Sequence, residues 1–398
     1  MSLSRRGFIS SVSAGRSGPA SVALIAARGR EAAVGESWPY DYQAAPAART
    51  GNQIRISSNE NPLGPGKTAV DALLGNFGQY GRYPFNSRPL DVEFEAAIGK
   101  KFNVKRENVV LGAGSGEILR NAVRAFTSGS KALVTGTCSF ENCPRTAEQI
   151  GSPVKLVALD SKLRLDLDGM AAAAKGAGLV FFCNPNNPTA TVHGASAVAE
   201  FVKKIRQTSP DTAILIDEAY FDYVTDPSYA TAVPLAMENP NVFVTRTFSK
   251  AYGMAGLRAG YAIGQPETIK KLARFKMPYN VSVPTQTAAV ASLGDQPHID
   301  AERKRNTEVR DFTVKAFESW GYKPTASQGN FIFVDLRRPA KAFRDACAAN
   351  GVMIGRDFPP YEKTHSRISI GTMEEMQKAV DVFKRVLTTA TTTAERGR

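Results

Sequence analysis

Histidine and cysteine are scarce in this chain, with three of the first and four of the second among 398 residues. The histidines stand far apart, and Cys138, Cys143, Cys183 and Cys347 match no zinc-binding spacing, which speaks against a metal enzyme. Cys183 closes the apolar run LVFFC and reads as a small buried hydrophobe. Cys138 and Cys143 would pair only if the local backbone allowed it, and their spacing leaves that open. No apolar run is long enough to span a membrane. The formal net charge is +13, yet no basic run carries interleaved aromatics, so no nucleic-acid partner is indicated and an anionic small ligand suits the charge better. Glycine and proline are near average, which excludes fibrous and low-complexity classes.

What is present begins with SRRGFIS, Ser4 to Ser10, where two adjacent arginines precede an aromatic and a mildly apolar stretch. That pattern resembles a twin-arginine export signal, although the apolar part is short and no clear A-x-A cleavage site follows. The alternative is a basic N-terminus with a chance Arg-Arg pair. Residues 1–45 are therefore expected to be an unstructured export signal and linker, placing the protein in the periplasm, or in the cytoplasm if the arginine pair is fortuitous.

From residue 105 to 265, short apolar runs alternate with helical patterns. NVVLGAG, KALVTG, PVKLVAL, GLVFFC, AILIDEAY, NVFVTRT and LRAGYAIG are rich in Val, Ile, Leu and Phe without polar alternation, as in strands buried on both faces. The expected class is α/β with a mostly parallel sheet. The C-terminal third differs: a long polar helix near 297–320, then NFIFVDL, a helix near 340–350, GVMIG, SRISIG and a last helix from about 373 predict a smaller α+β unit. Residues 75–285 are expected to form the large domain, 46–74 and 286–390 the small one, and 391–398 a tail.

Four polar clusters follow the buried runs, on the edge where open α/β sheets bind ligands. GAGSGE, Gly112 to Glu117, would let backbone N–H groups reach a phosphate at a helix N-terminus; a plain tight turn is the alternative. It fails as a dinucleotide fingerprint, because Glu117 holds the third glycine position and no acid follows about twenty residues on. NPNNPTA, Asn184 to Ala190, taken alone reads as a rigid loop. Asp217, after four apolar residues, should be partly desolvated and in need of a cation, with Tyr220 presenting its hydroxyl nearby. The stretch TFSKAYGMAGLRAGY carries Lys250 and, eight residues on, Arg258, which can grip an anion; a solvated surface lysine is the alternative. One ligand accounts for all four. Pyridoxal 5′-phosphate (PLP) has an aldehyde for the lysine, a pyridine nitrogen for the carboxylate, a phenolic oxygen for donors, and a phosphate for N–H groups and an arginine.

With these residues in hand, the chain resembles the fold-type I, PLP-dependent aminotransferases of class I/II, and most of all the histidinol-phosphate aminotransferase branch. The resemblance spans roughly residues 52 to 388 and rests on SSNENPLGP, GRYPF, NPNNPTA, IDEAY, TFSKAYGMAGLRAGY and SRISIGT. It implies an aspartate aminotransferase-like fold, with a mainly seven-stranded sheet between helices, and a homodimer. It also implies that Lys250 forms the internal aldimine and shuttles the α-proton, that Asp217 keeps the ring nitrogen protonated, and that Tyr220 and Asn187 bond the phenolic oxygen. Ser115 and Gly116 with Thr247, Ser249 and Arg258 would hold the phosphate, helped by Tyr83 from the neighbouring subunit, while Phe140 stacks on the ring. Arg367 would clamp the substrate α-carboxylate, with Asn59 and Asn330 bordering the pocket.

The implied reaction is ping-pong transamination between an L-amino acid and a 2-oxo acid. A PLP decarboxylase or lyase of the same fold is the alternative, and a nucleotide- or nucleic-acid-binding α/β protein a distant one. The chain departs from the branch at Ala190, where a glycine is usual, at Phe140, where a tyrosine is usual, and at GVMIGRDFPPYEK. There Gly355 takes the place of an arginine that helps read the substrate phosphate, and Arg356 follows it, which makes Arg356 the candidate reader of the substrate side chain.

Overall fold

The computed structural model describes residues 53–83 and 90–395. The expected export signal and linker lie outside the described residues. Eleven strands are found in chain order among the described residues: β1 (Ile54–Ile56), β2 (Val109–Ala113), β3 (Leu133–Gly136), β4 (Val154–Val157), β5 (Leu179–Cys183), β6 (Ala213–Asp217), β7 (Val242–Thr247), β8 (Ala259–Gly264), β9 (Phe331–Asp335), β10 (Val352–Ile354) and β11 (His365–Ser369). Seven form one sheet in the order β2-β8-β7-β6-β5-β3-β4. Every residue of β5, β6, β7 and β8 is buried, as their unbroken apolar runs require of a sheet covered on both faces. β4 is an edge strand, and its Lys155 and Leu156 are exposed.

The pairings from β4 through β7 are parallel, while β8 runs antiparallel to both β7 and β2. Residues 248–258 connect β7 to β8 with no helix between them, and a parallel return needs a longer crossover. That same short connection carries Lys250 and Arg258.

β1 pairs parallel with β10, and β9 antiparallel with β11. Around them Ile56, Phe317, Ile332, Phe343, Ile368 and Phe383 share one core with the helices Gln296–Ser319, Ala340–Ala349 and Met373–Glu395. The main core, under the seven-stranded sheet, takes in Ala69, Ala288, Ala289, Leu293 and Ile299 as well. The helix Val283–Leu293 is what carries it there, packing on the helices Lys67–Gly75 and Leu90–Phe102. The last helix runs on to Glu395, past residue 390, where a tail was expected. No helix among the described residues is long and apolar enough to cross a membrane. All four cysteines are buried and unpaired, so Cys138 and Cys143 form no disulfide.

Candidate functional site

The carboxyl ends of β5, β6 and β7 lie in register, with Cys183 opposite Asp217 and Asp217 opposite Thr245. Asp217 is only 2% exposed; its Oδ1 accepts from the Thr245 hydroxyl at 2.9 Å, and the Cys183 thiol sits 3.9 Å from Oδ2. Burial pushes its pKa up to about 6, with Glu218 adding to the rise, while the bond from Thr245 and the charge of Lys250 oppose it. A carboxylate held this way attracts a cationic partner.

Lys250 lies in the short β7–β8 connection, with its Nζ donating to the Ser58 carbonyl at 3.3 Å and standing 5.6 Å from the Tyr220 ring centroid. Desolvation brings its pKa down to about 8, and the charges of Arg367 and Arg258 push the same way against Glu60 and Asp217. An amine so placed is neutral far more often than a surface lysine, as a nucleophile toward an aldehyde must be. Segment 57–65 lies across the Lys250 connection. Asn61 donates to the Ala251 carbonyl at 3.0 Å, and Gly253 has no room for a side chain, since a Cβ there would stand 1.8 Å from the Gly64 oxygen.

A second group of residues forms a candidate anion cradle. The helix Ser115–Phe126 starts at Gly114, whose φ of +75° suits glycine, and a Cβ at Gly114 would lie 2.2 Å from Arg258 Nη2. The first-turn N–H groups of this helix, Ser115 and Gly116 included, have no partner within the helix. Arg258 donates to Ser249 Oγ at 3.1 Å and to the Ala113 carbonyl at 3.4 Å, while Thr247 Oγ1 donates to Ser249 Oγ at 3.0 Å. Arg258 itself has a φ of +65° and Asn59 one of +53°, so backbone strain gathers at this site. Ala190, where the branch has glycine, also adopts a positive φ of +57°.

Arg367, from β11, completes the pocket. It donates through Nη1 to Asn187 Oδ1 and through Nη2 to the Ser57 carbonyl, each at 2.8 Å. Its buried Nε has no partner, which leaves a donor for an incoming anion. Burial lowers its pKa to about 10, so it stays charged at neutral pH. Tyr220 accepts from Asn59 Nδ2 at 3.1 Å, and Asn59 Oδ1 accepts from the Ser369 hydroxyl at 2.6 Å. Asn330 is fully buried, donates to the Glu60 carbonyl at 3.4 Å, and leaves its Oδ1 unpartnered. Phe140 is half-buried against the core behind the sheet.

Of the remaining sequence candidates, Tyr83 stands apart from this cluster, while Arg356 adjoins it across the Phe358 ring. Tyr83 is exposed, its ring 5.3 Å from that of Tyr279. Arg356 forms an ion pair with Glu141 and lies over the Phe358 ring. Sequence reasoning missed Thr245, Ser369, Phe358 and Glu141. Ser369 was findable, because it sits two residues beyond Arg367 on one strand and therefore on the same face. Thr245 was not, because its place beside Asp217 depends on strand register.

Residues 51–383 match the family described as aminotransferase class I and II. The chain belongs to this family. Among aminotransferases similar to it, a histidinol-phosphate aminotransferase of Moorella thermoacetica is 36% identical over 337 residues, covering 84% of this chain and 85% of that protein. A solved protein of Erwinia carotovora atroseptica, provisionally named histidinol-phosphate aminotransferase, superposes with a TM-score of 0.81 at 31% identity, over 85% of this chain and 97% of the other. The histidinol-phosphate aminotransferase of Sinorhizobium meliloti, solved in complex with pyridoxal-5′-phosphate, gives 0.78 at 26% identity, over 85% and 91%. The seven-stranded, mostly parallel sheet flanked by helices is that of the aspartate aminotransferase-like fold. The residues of this aminotransferase also fit the cofactor on their own account: a buried carboxylate inviting a ring cation, an amine held near neutrality, a cradle that a Cβ at Gly114 would fill, and an orphaned donor on Arg367.

Proposed function

We propose that this protein is a PLP-dependent aminotransferase that moves the amino group of an L-amino acid to a 2-oxo acid, both substrates using one pocket in turn. The observation that carries this reading is Asp217, a carboxylate buried at a strand end with its pKa raised and Lys250 in its field. When bound, the cofactor supplies an electron sink that makes the α-proton of an amino acid removable.

The chain's own residues do the rest. Asp217 holds the ring nitrogen's proton in place. Ser115, Gly116, Thr247, Ser249 and Arg258 would hold the phosphate, Phe140 would cover the ring, and Tyr220 and Asn187 would bond the phenolic oxygen. Arg367 grips the substrate α-carboxylate between Asn59 and Asn330, and Lys250 Nζ takes the α-proton and returns it. The names of the relatives make histidinol phosphate the first amino donor to test. The departure at Gly355 has a structural basis: a Cβ there would lie 2.7 Å from the Arg367 carbonyl, so no longer side chain fits without moving the clamp. Arg356 is then the residue that reads an anionic or polar substrate side chain.

Tyr83, exposed on this protomer, supports a homodimer in which it reaches the neighbour's phosphate. The division into a large domain, 75–285, and a small one, 46–74 with 286–390, is part of the same proposal, except that the helices Lys67–Gly75 and Val283–Leu293 join the core of the large domain. Export rests on Ser4–Ser10 alone; a reporter fused to residues 1–45 should lose its periplasmic signal when Arg5 and Arg6 become Lys.

The test of function is direct. Purified protein should be yellow, lose its cofactor absorbance on adding its amino donor, and release a 2-oxo acid. Lys250→Ala should abolish turnover, and retained turnover would sink the assignment. Carbon dioxide released without an oxo acid would make the enzyme a decarboxylase.

A further inference from the structure

Arg356 and Glu141 come from distant stretches of chain, Arg356 just after β10 and Glu141 directly after Phe140. They form an ion pair, and neither is sealed in: the side chains are 37% and 29% exposed. Phe358 joins this pair to the carboxylate clamp, because the Arg356 and Arg367 Cζ atoms lie 4.3 and 4.7 Å from its ring centroid. The two guanidinium carbons are therefore no more than about 9 Å apart. Both charges also bear on Arg367, whose pKa Arg356 lowers and Glu141 raises.

We propose that Glu141 is an internal counter-ion that sets the charge selectivity of the side-chain pocket, giving up Arg356 to a substrate whose side chain ends in an anionic group, carboxylate or phosphate. The inference rests on the function proposed above. An aminotransferase must pass two different substrates through one pocket. An unpaired arginine beneath a neutral side chain would be left desolvated without a partner, which is costly. With Glu141 in place Arg356 stays paired, so a neutral side chain meets no uncompensated charge. When the side chain is anionic, its oxygens replace those of Glu141 on the guanidinium, and Glu141 turns to water. A pair about a third exposed is cheap to open, because such pairs are worth about 1 kcal/mol or less. The donors on Arg367 and Arg356 then hold the two ends of a short, doubly anionic molecule, the first by its α-carboxylate and the second by its side chain. Glu141 does not touch the reacting atoms in this scheme. It is a specificity residue acting through Arg356.

The experiment is equilibrium binding of three unreactive acids to the cofactor-loaded protein by titration calorimetry: glutarate, 3-phosphonopropionate and butyrate. Glu141→Gln should raise the preference for the doubly anionic acids over butyrate by about threefold to fivefold, and Arg356→Met should reduce that preference to near one. The acid that gains more from Glu141→Gln tells carboxylate from phosphate. An unchanged preference in Glu141→Gln, with butyrate still bound, overturns the proposal. Should that variant fail to fold, Arg356→Met alone decides, since a preference that survives it overturns the proposal too. Wild-type protein that takes up PLP but binds none of the three acids would refute the carboxylate clamp at Arg367 as well, so the two failures are told apart.

Discussion

Asp217 shows how one side chain can serve chemistry at the expense of stability. Its folded pKa, about 6, lies above the usual carboxylate value, so the folded protein binds this proton more tightly than the unfolded chain. Stability is therefore lost as pH rises from about 4 through 6, and the loss is complete above that range. In the cofactor-free protein Asp217→Asn should be more stable than wild type by on the order of 2–3 kcal/mol at pH 8 and no more stable at pH 4, by urea denaturation. The same variant should transaminate at least about 10²–10³-fold more slowly, since the ring nitrogen would lose the charged partner proposed for it. Lys250 gives the opposite sign. With its amine lowered to about 8, uptake of PLP by the cofactor-free protein, fixed to Lys250 by borohydride, should quicken as pH rises through 8 and level off above it. A rate flat between pH 7 and 9 would count against the lowered amine.

At the scale of elements, the site is a matter of where strands stop. The runs LVFFC, AILID and NVFVTRT announced β5, β6 and β7, and the polar residues ending them announced the ligand edge. What stayed hidden was register and direction. Nothing in AGYAIG says that β8 runs antiparallel; only the missing helix in 248–258 implies it. The helix Val283–Leu293 was hidden as well, because its alanines and threonines carry too weak an apolar stripe to stand out. The pairing of Arg356 with Glu141 joins two loops that no periodicity relates. The turn between β2 and the helix Ser115–Phe126 was legible as a candidate phosphate cradle, and its geometry makes a sharp prediction. Gly114→Ala must tolerate a positive φ and displace Arg258, whose Nη2 occupies the space of the new methyl. The backbone strain alone is about 1–2 kcal/mol. PLP affinity, followed by fluorescence titration, should fall about 10–100-fold while the fold persists by circular dichroism.

At the scale of the whole molecule, one apolar surface among the described residues stays exposed. Nine of the twelve large hydrophobic residues exposed among the described residues fall in two stretches, Leu63, Val70, Leu74, Phe77, Tyr83 and Val92 in the first and Phe275, Met277 and Tyr279 in the second. The stretches adjoin, joined by the Lys276–Asp91 ion pair at 3.0 Å and by the Tyr83–Tyr279 contact. A monomer seldom exposes so concentrated an apolar surface, and a second copy of the same chain can bury it against itself about a two-fold axis. The second stretch lies just ahead of Asn280, which donates to Glu117 Oε2 at 2.8 Å in the first turn of the cradle helix, so burying this surface would also steady the phosphate end of the site. Dimerisation and cofactor binding should therefore fail together. Replacing Phe77 and Met277 with Asp places two charges in that surface and should yield monomers at micromolar concentration by sedimentation velocity. Those monomers should bind PLP at least about tenfold more weakly, because the proposed reach of Tyr83 to the neighbouring phosphate is lost. A variant that stays dimeric, or one that becomes monomeric with its cofactor affinity intact, would separate the surface from the site and refute the coupling.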